Sequence, residues 1–163
     1  MSVDPRRRRS EDGVWMDVAR AVADRSKSRK GVGAVILGQD GRILATGYNG
    51  PPAFYGPAKD KESAEDFCPR EMHGAEKDPS YDDCVCIHAE INALLFSDFS
   101  LRAFGTMYVT SVPCMMFAKA IGNSGLSRLV FNETDLYIRP HRDPMAAIRF
   151  LVDCGIQVKG LRL

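Results

Sequence analysis

The chain has 163 residues, 45% of them hydrophobic and 26% charged, with a formal net charge of +1. Such a length and composition suit one globular domain with a sizeable core. The near-neutral balance gives no global field for nucleic acid or an anionic membrane, and no apolar run reaches the roughly 20 residues needed to cross a bilayer. Neither partner is expected.

The first ten residues hold Arg6 to Arg9 but no apolar signal-peptide core. Residues 1–13 read as a basic flexible tail, residues 14–163 as a single domain, and the setting as cytoplasmic. Five cysteines, an odd number, argue against a secreted disulfide framework and for metal chemistry. Cys154, apart from the others, reads as a small core residue.

A first helix is expected over 14–25, with Val14, Val18, Ala21 and Val22 as its apolar stripe. Residues 33–37 and 42–48 are β runs joined through Gln39-Asp40-Gly41, a hairpin signal. Residues 49–85 are rich in Pro, Gly and charge with no sustained period, and a loop of that length is normally functional or disordered. A helix then opens at His88, with Ile91, Leu94 and Leu95 at helical spacing. Strand 106–112, helix 114–123, strand 127–131, helix 143–153 and a short strand at 156–159 follow. A hairpin followed by alternating helices and strands implies a sheet covered by helices on both faces. Met107, Met115 and Met116 read as core filler.

His88-Ala89-Glu90, then Pro113-Cys114-Met115-Met116-Phe117, nearly completes the pattern H-x-E…P-C-x-x-C of zinc-dependent base deaminases. The residue types fit hydrolytic deamination. Zinc with three protein ligands and an open position lowers the pKa of a bound water to about 7. His88 and Cys114 are two such ligands. Glu90, two residues beyond His88, is placed to move protons as a general acid/base. Pro113 sits at a helix start, and Cys114 at a helix N-terminus where the dipole favours a thiolate.

With these motifs, and with Val32-Gly-Ala-Val-Ile, Gly47-Tyr-Asn-Gly-Pro-Pro, Met107-Tyr-Val-Thr and Ala118-Lys-Ala-Ile, residues 15–158 resemble the zinc-dependent deoxycytidylate (dCMP) deaminases. The resemblance implies a cytidine deaminase-like fold: an α/β protein, an α/β/α sandwich around a five-stranded mixed sheet. It implies hydrolysis of dCMP to dUMP and ammonia, feeding thymidylate synthesis, with Zn2+ held by His88 and Cys114 and Glu90 as proton shuttle. It further implies a homo-oligomer, commonly a hexamer, and dCTP and dTTP as effectors. Asn49 is the expected contact to the sugar hydroxyls, although an asparagine before Gly-Pro is also a turn former. Cys68, His73, Cys84 and Cys86 are candidates for a second, structural zinc, or else reduced thiols of the long loop. For the phosphate, Lys27, Arg29, Lys30 and Arg139 are the basic residues near the expected pocket.

Phe117 stands where the pattern has its last cysteine. Cys114 and Phe117 are i and i+3 on one helix and share a face, so a ring points where the third thiolate belongs. Three consequences are open. Cys86 or Cys84 supplies the missing sulfur, with Cys86 two residues from His88 on an extended stretch. The substitution impairs an otherwise ordinary enzyme. Or the fold is catalytically silent, and binds nucleotide or assembles as a scaffold subunit.

Overall fold

The computed structural model describes residues 9–73, 84–134 and 143–162. Helix α1 (Glu11–Ala23) starts earlier than the apolar pattern indicates. Ser10 is its N-cap, accepting from the Gly13 N–H, and Glu11 and Asp12 fill the first turn, where the helix dipole favours negative charge. Residues 10–13 therefore belong to the folded unit rather than to a tail.

The expected stripe is also rotated. Val18 and Val22 pack on the sheet, but Met16 and Ala19 hold the innermost positions, while Val14 and Ala21 face outward. The cause is close approach: a Cβ on Gly33 would lie 1.9 Å from the Ala19 carbonyl oxygen. Helix and strand meet backbone to backbone there, which only the smallest residues permit.

Strands β1 (Gly33–Leu37) and β2 (Ile43–Tyr48) form the expected hairpin. With β3 (Thr106–Val109), β4 (Arg128–Asn132) and β5 (Gln157–Leu161) they make one five-stranded sheet in the order β2-β1-β3-β4-β5. β1 runs antiparallel to β2 and β3, and β3, β4 and β5 run parallel. β1 is buried at every position, as a strand covered on both faces must be. Its Val35 and Leu37 face α1. Ala34 and Ile36 face the opposite layer, made by α3 (Ala89–Leu95), α5 (Met115–Gly122) and α6 (Pro144–Asp153). The expected α/β/α sandwich and mixed sheet are observed.

Several sequence expectations about burial are corrected. Phe117, Ala118 and Ile121 take the inner face of α5, so Met115 and Met116 point outward; Met107 is buried as expected. Cys154 is exposed at the C-cap of α6 and is no core residue. Ala89 and Ala93 form the inner face of α3, leaving Leu95 exposed ahead of the short helix α4 (Phe99–Arg102).

A polar anchor fastens α1 to the sheet. The Asp12 carboxylate, on a residue only 8% exposed, accepts two hydrogen bonds from Arg128 at 2.8 and 2.9 Å, one from Lys159 at 2.6 Å and one from the Tyr108 hydroxyl at 2.9 Å. The hydrogen bonds from Arg128 hold its carboxyl far below the usual carboxylate range, against the opposing effect of burial. No described helix is long and apolar enough to cross a membrane.

Candidate active site

Three separate segments are brought to one pocket beside β1 and β3. The first is the end of β2. Gly47 lets α3 approach: a Cβ there would meet the Ala89 carbonyl oxygen at 2.2 Å and the Ala93 nitrogen at 2.4 Å. Gly50 and Ile87 then exchange two hydrogen bonds, of 3.0 and 2.7 Å. This bridge sets residues 49–50 next to His88, the N-cap of α3. Glu90 follows in the first turn, buried.

The second segment is the exit from β3. That strand ends at Val109 rather than running on to Val112. Thr110 closes it through Gly33, donating its N–H to the Gly33 oxygen and accepting from the Gly33 N–H, each at 3.0 Å. The chain then turns through Ser111 and Pro113 to Cys114, the N-cap of α5. Pro113 thus precedes the cap, two places before the first helical position, Met115.

His88, Glu90, Cys114 and Asn49 line the same pocket. So does Phe117, buried, with its ring centroid 4.2 Å from that of His88 at an interplanar angle of 49°. The inference that Phe117 shares the face of Cys114 is therefore correct. Its ring packs on the imidazole.

The third segment is the long loop, whose described residues hold more regular structure than the sequence suggests. It contains two 3-10 turns, Gly56–Ala58 and Ala64–Asp66, and the short helix α2 (Pro69–His73). A small core of Ala58, Ala64, Phe67 and Cys68 holds it together, with Tyr55, Cys84 and Cys86 packed against it. Here the sulfurs of Cys68, Cys84 and Cys86 all lie within 4.8 Å of one another, and Cys68 Sγ is 3.7 Å from Cys84 Sγ. Zn–S bonds of about 2.3 Å in a tetrahedron require sulfurs about 3.8 Å apart, so these three thiols fit a zinc site. The side chain of His73, the fourth candidate, lies outside the described residues. Cys84 is lowered to about 6, chiefly by its hydrogen bond with Cys86. The same bond, with burial, pushes the Cys86 thiol up.

His88 and Cys114 do not fit a metal in the same way. Among the described residues, no group of three or more His, Cys, Asp or Glu ligand atoms gathers around His88 and Cys114. Cys84 and Cys86 do line the pocket, but their sulfurs cluster with Cys68, so neither replaces the thiolate missing at Phe117. Two donors and a phenyl ring do not make a three-ligand catalytic zinc centre.

Asn49 is engaged with the backbone. Its Oδ1 accepts from the Val32 N–H at 2.7 Å, and its Nδ2 donates to the Lys30 oxygen at 3.0 Å. Of the cations considered for phosphate, Lys30 lines the pocket. Arg29 is paired with Glu65 at 2.8 Å, Lys27 donates to the Lys61 carbonyl, and Arg139 lies outside the described residues. Sequence reasoning missed Arg70, Ser28 and Ser111, which also line the pocket. Ser111 had a signal, three residues before Cys114. Arg70 had none, because the loop's folding around Cys68 brings it in.

Residues 9–133 match the family described as the cytidine and deoxycytidylate deaminase zinc-binding region. The chain belongs to this family. It is 39% identical to the deoxycytidylate deaminase of Mycobacterium phage D29 over 128 residues, 74% of this chain and 92% of that protein. The deoxycytidylate deaminase of Enterobacteria phage T4 is 30% identical, over 88% of this chain and 86% of its own length. The crystal structure of dCMP deaminase from the cyanophage S-TIM5 superposes with a TM-score of 0.64 at 22% identity, covering 98% of this chain and all of that one. The same cyanophage protein is known in complex with dCMP and dUMP, with a TM-score of 0.63 here. The family and the cytidine deaminase-like fold are those the sequence motifs imply.

Proposed function

We propose that the pocket takes a pyrimidine deoxynucleotide, dCMP, and that the chain is built for its hydrolytic deamination, with turnover limited by Phe117. The observation carrying this reading is the convergence of Asn49, His88, Glu90 and Cys114 on one pocket. In the reaction water adds to C4 of the cytosine ring, the ring nitrogen gains a proton, and ammonia leaves to give dUMP. Glu90 carries the two protons of the water in turn, the first to the ring nitrogen as the C4–O bond forms, the second from the new C4 hydroxyl to the amino group that leaves as ammonia. Asn49 Oδ1 keeps a second lone pair for a sugar hydroxyl. Lys30 and Arg70 supply positive charge for the phosphate.

Cys68, Cys84 and Cys86, joined by His73, would hold a structural zinc that ties the loop to the segment ahead of His88. In such sites bound metal contributes to folding. Assembly into a homo-oligomer, a hexamer in the form the family resemblance implies, is supported by a run of exposed apolar side chains: Leu95, Phe96, Phe99, Leu101 and Phe104. Control by dCTP and dTTP and a cytoplasmic setting complete the reading.

A second reading has its own support. The packing of Phe117 on His88 favours a catalytically silent nucleotide-binding or scaffold subunit. Ammonia release from dCMP by the purified protein, with dCMP affinity and zinc content measured alongside, separates the two. Under the first reading turnover is low but measurable, Glu90→Gln abolishes it by at least about 100-fold while dCMP still binds, and Phe117→Cys raises both turnover and zinc content. dCMP binding without ammonia release establishes the silent reading. A protein that binds no dCMP refutes the deaminase reading and leaves only the scaffold subunit.

A further inference from the structure

We infer that Ser111 is a recognition residue for the pyrimidine base, its hydroxyl hydrogen-bonding the base's polar edge; this rests on the pocket being a dCMP site. Two serines are buried in the described residues, Ser124 at 3% and Ser111 at 6% exposure, and they differ in how they are satisfied. Ser124 Oγ donates to the Ile121 oxygen at 2.6 Å and accepts from the Leu126 N–H at 3.3 Å. Its hydrogen-bonding capacity is used inside the protein. Ser111 Oγ has no protein partner among the described residues, yet it is not sealed away, since none of their fully buried side-chain oxygens or nitrogens is left without a partner. Its opening is the pocket, which it lines together with His88, Glu90 and Cys114.

Leaving a buried hydroxyl unmatched is costly, whereas an alanine there would carry no such penalty. Its partner therefore comes from the pocket, water when the pocket is empty and a polar group of the ligand when it is filled. The position is also fixed. Thr110, next in the chain, is locked to Gly33 by two hydrogen bonds of 3.0 Å, and Pro113 restrains the other side. Asn49 and Lys30 enter the pocket from the ends of β1 and β2. Ser111 enters from the β3 exit, three residues from Cys114, at the end where Glu90 acts. That end receives the base.

The chemistry suits both forms of the base. A hydroxyl donates and accepts, so it can accept from the amino group of cytosine or donate to the oxo group of uracil. Ser111 therefore holds the base without selecting substrate over product.

Calorimetric titration of three ligands tests this: dCMP, dUMP and deoxyribose 5-phosphate, the last carrying no base. Ser111→Ala should weaken dCMP and dUMP roughly five- to tenfold, the loss of one neutral hydrogen bond, and leave deoxyribose 5-phosphate unchanged. Ser111→Thr, which keeps the hydroxyl, should hold dCMP affinity within about twofold of wild type. Unchanged dCMP affinity in Ser111→Ala overturns the inference. So does an equal loss for deoxyribose 5-phosphate, or an equal loss in the threonine variant, since either would trace the effect to packing. If the wild type binds dCMP no better than deoxyribose 5-phosphate, the nucleotide reading itself fails and this inference falls with it.

Discussion

Asp12 gives the strongest stability prediction, and it concerns a residue that composition alone would place in the tail. Its carboxylate neutralises Arg128, whose side chain is 23% exposed, and Lys159, whose side chain is 50% exposed. Asp12→Ala strands the guanidinium and leaves the Tyr108 hydroxyl without its acceptor. Removing one partner of a buried ion pair costs about 3–5 kcal/mol. Lys159 is half in water and adds little to that, so the lower end applies, about 3 kcal/mol. With a urea m-value of about 2 kcal/mol/M, the unfolding midpoint should fall by about 1.5 M with m unchanged. The pH dependence follows from the depressed folded-state pKa of Asp12. The stability it contributes is complete above its unfolded value of about 4 and is lost as pH falls below that toward the folded value. Asp12→Asn keeps an acceptor, loses about 2 kcal/mol at pH 7, and should flatten the wild-type decline in stability below pH of about 4. Urea melts of the three proteins at a series of pH values measure both effects. A loss under about 1 kcal/mol for Asp12→Ala, or an acid limb unaltered in Asp12→Asn, would refute the reasoning.

Two further outcomes test how the site and the assembly are held. In Gly47→Ala the new Cβ would sit 2.2 Å from the Ala89 oxygen and 2.4 Å from the Ala93 nitrogen. Both are backbone atoms of the helix carrying Glu90, so α3 must shift; we expect a cost of about 1–3 kcal/mol, read as a lower Tm, with dCMP affinity falling at least about tenfold. For assembly, Phe96 and Leu101 are 76% and 62% exposed. Phe96→Glu with Leu101→Glu should turn an oligomeric wild type into a monomer by light scattering, with the Tm of the isolated fold little changed; an oligomer that survives the double change uses another face.

The strands were legible because each is a short apolar or β-branched run bounded by turn residues, as at 33–37 and 43–48. The start of α1 was less so. Ser10-Glu11-Asp12 is a capping sequence, yet it directly follows four arginines, and the charge run suggests a solvated tail until Arg128 and Lys159 are seen to meet Asp12. The cysteines show another limit. On an extended stretch Cys84, Cys86 and His88 project to one side, so local geometry cannot assign Cys86 to the imidazole or to another thiol. Cys68, sixteen residues from Cys84, decides it, and its position depends on the loop's own core. Arg70 enters the pocket for the same reason, while Arg29 is diverted by Glu65.

Phe117 has two roles at once, and this determines what its reversal should do. As a motif position it stands where the pattern has its last cysteine; as a side chain it is one of the largest fully buried groups among the described residues, packed with Met107, Ile121 and Leu129. Phe117→Cys therefore opens a cavity, and large-to-small changes of that kind cost about 3 kcal/mol. In metal-free buffer the variant should be less stable than wild type by roughly that amount. Added zinc should recover the loss in the variant, because a ligand that binds only the folded state stabilises it by mass action. Wild type should show a smaller zinc-dependent shift, arising from the loop thiols alone, and Cys84→Ser should remove that part in both proteins. The difference between the zinc-dependent Tm shifts of Phe117→Cys and wild type, each in the Cys84→Ser background, then isolates the site at His88 and Cys114. A variant that is destabilised and stays so in zinc would mean that the ring is needed for packing and that His88 and Cys114 are not poised to take a third sulfur.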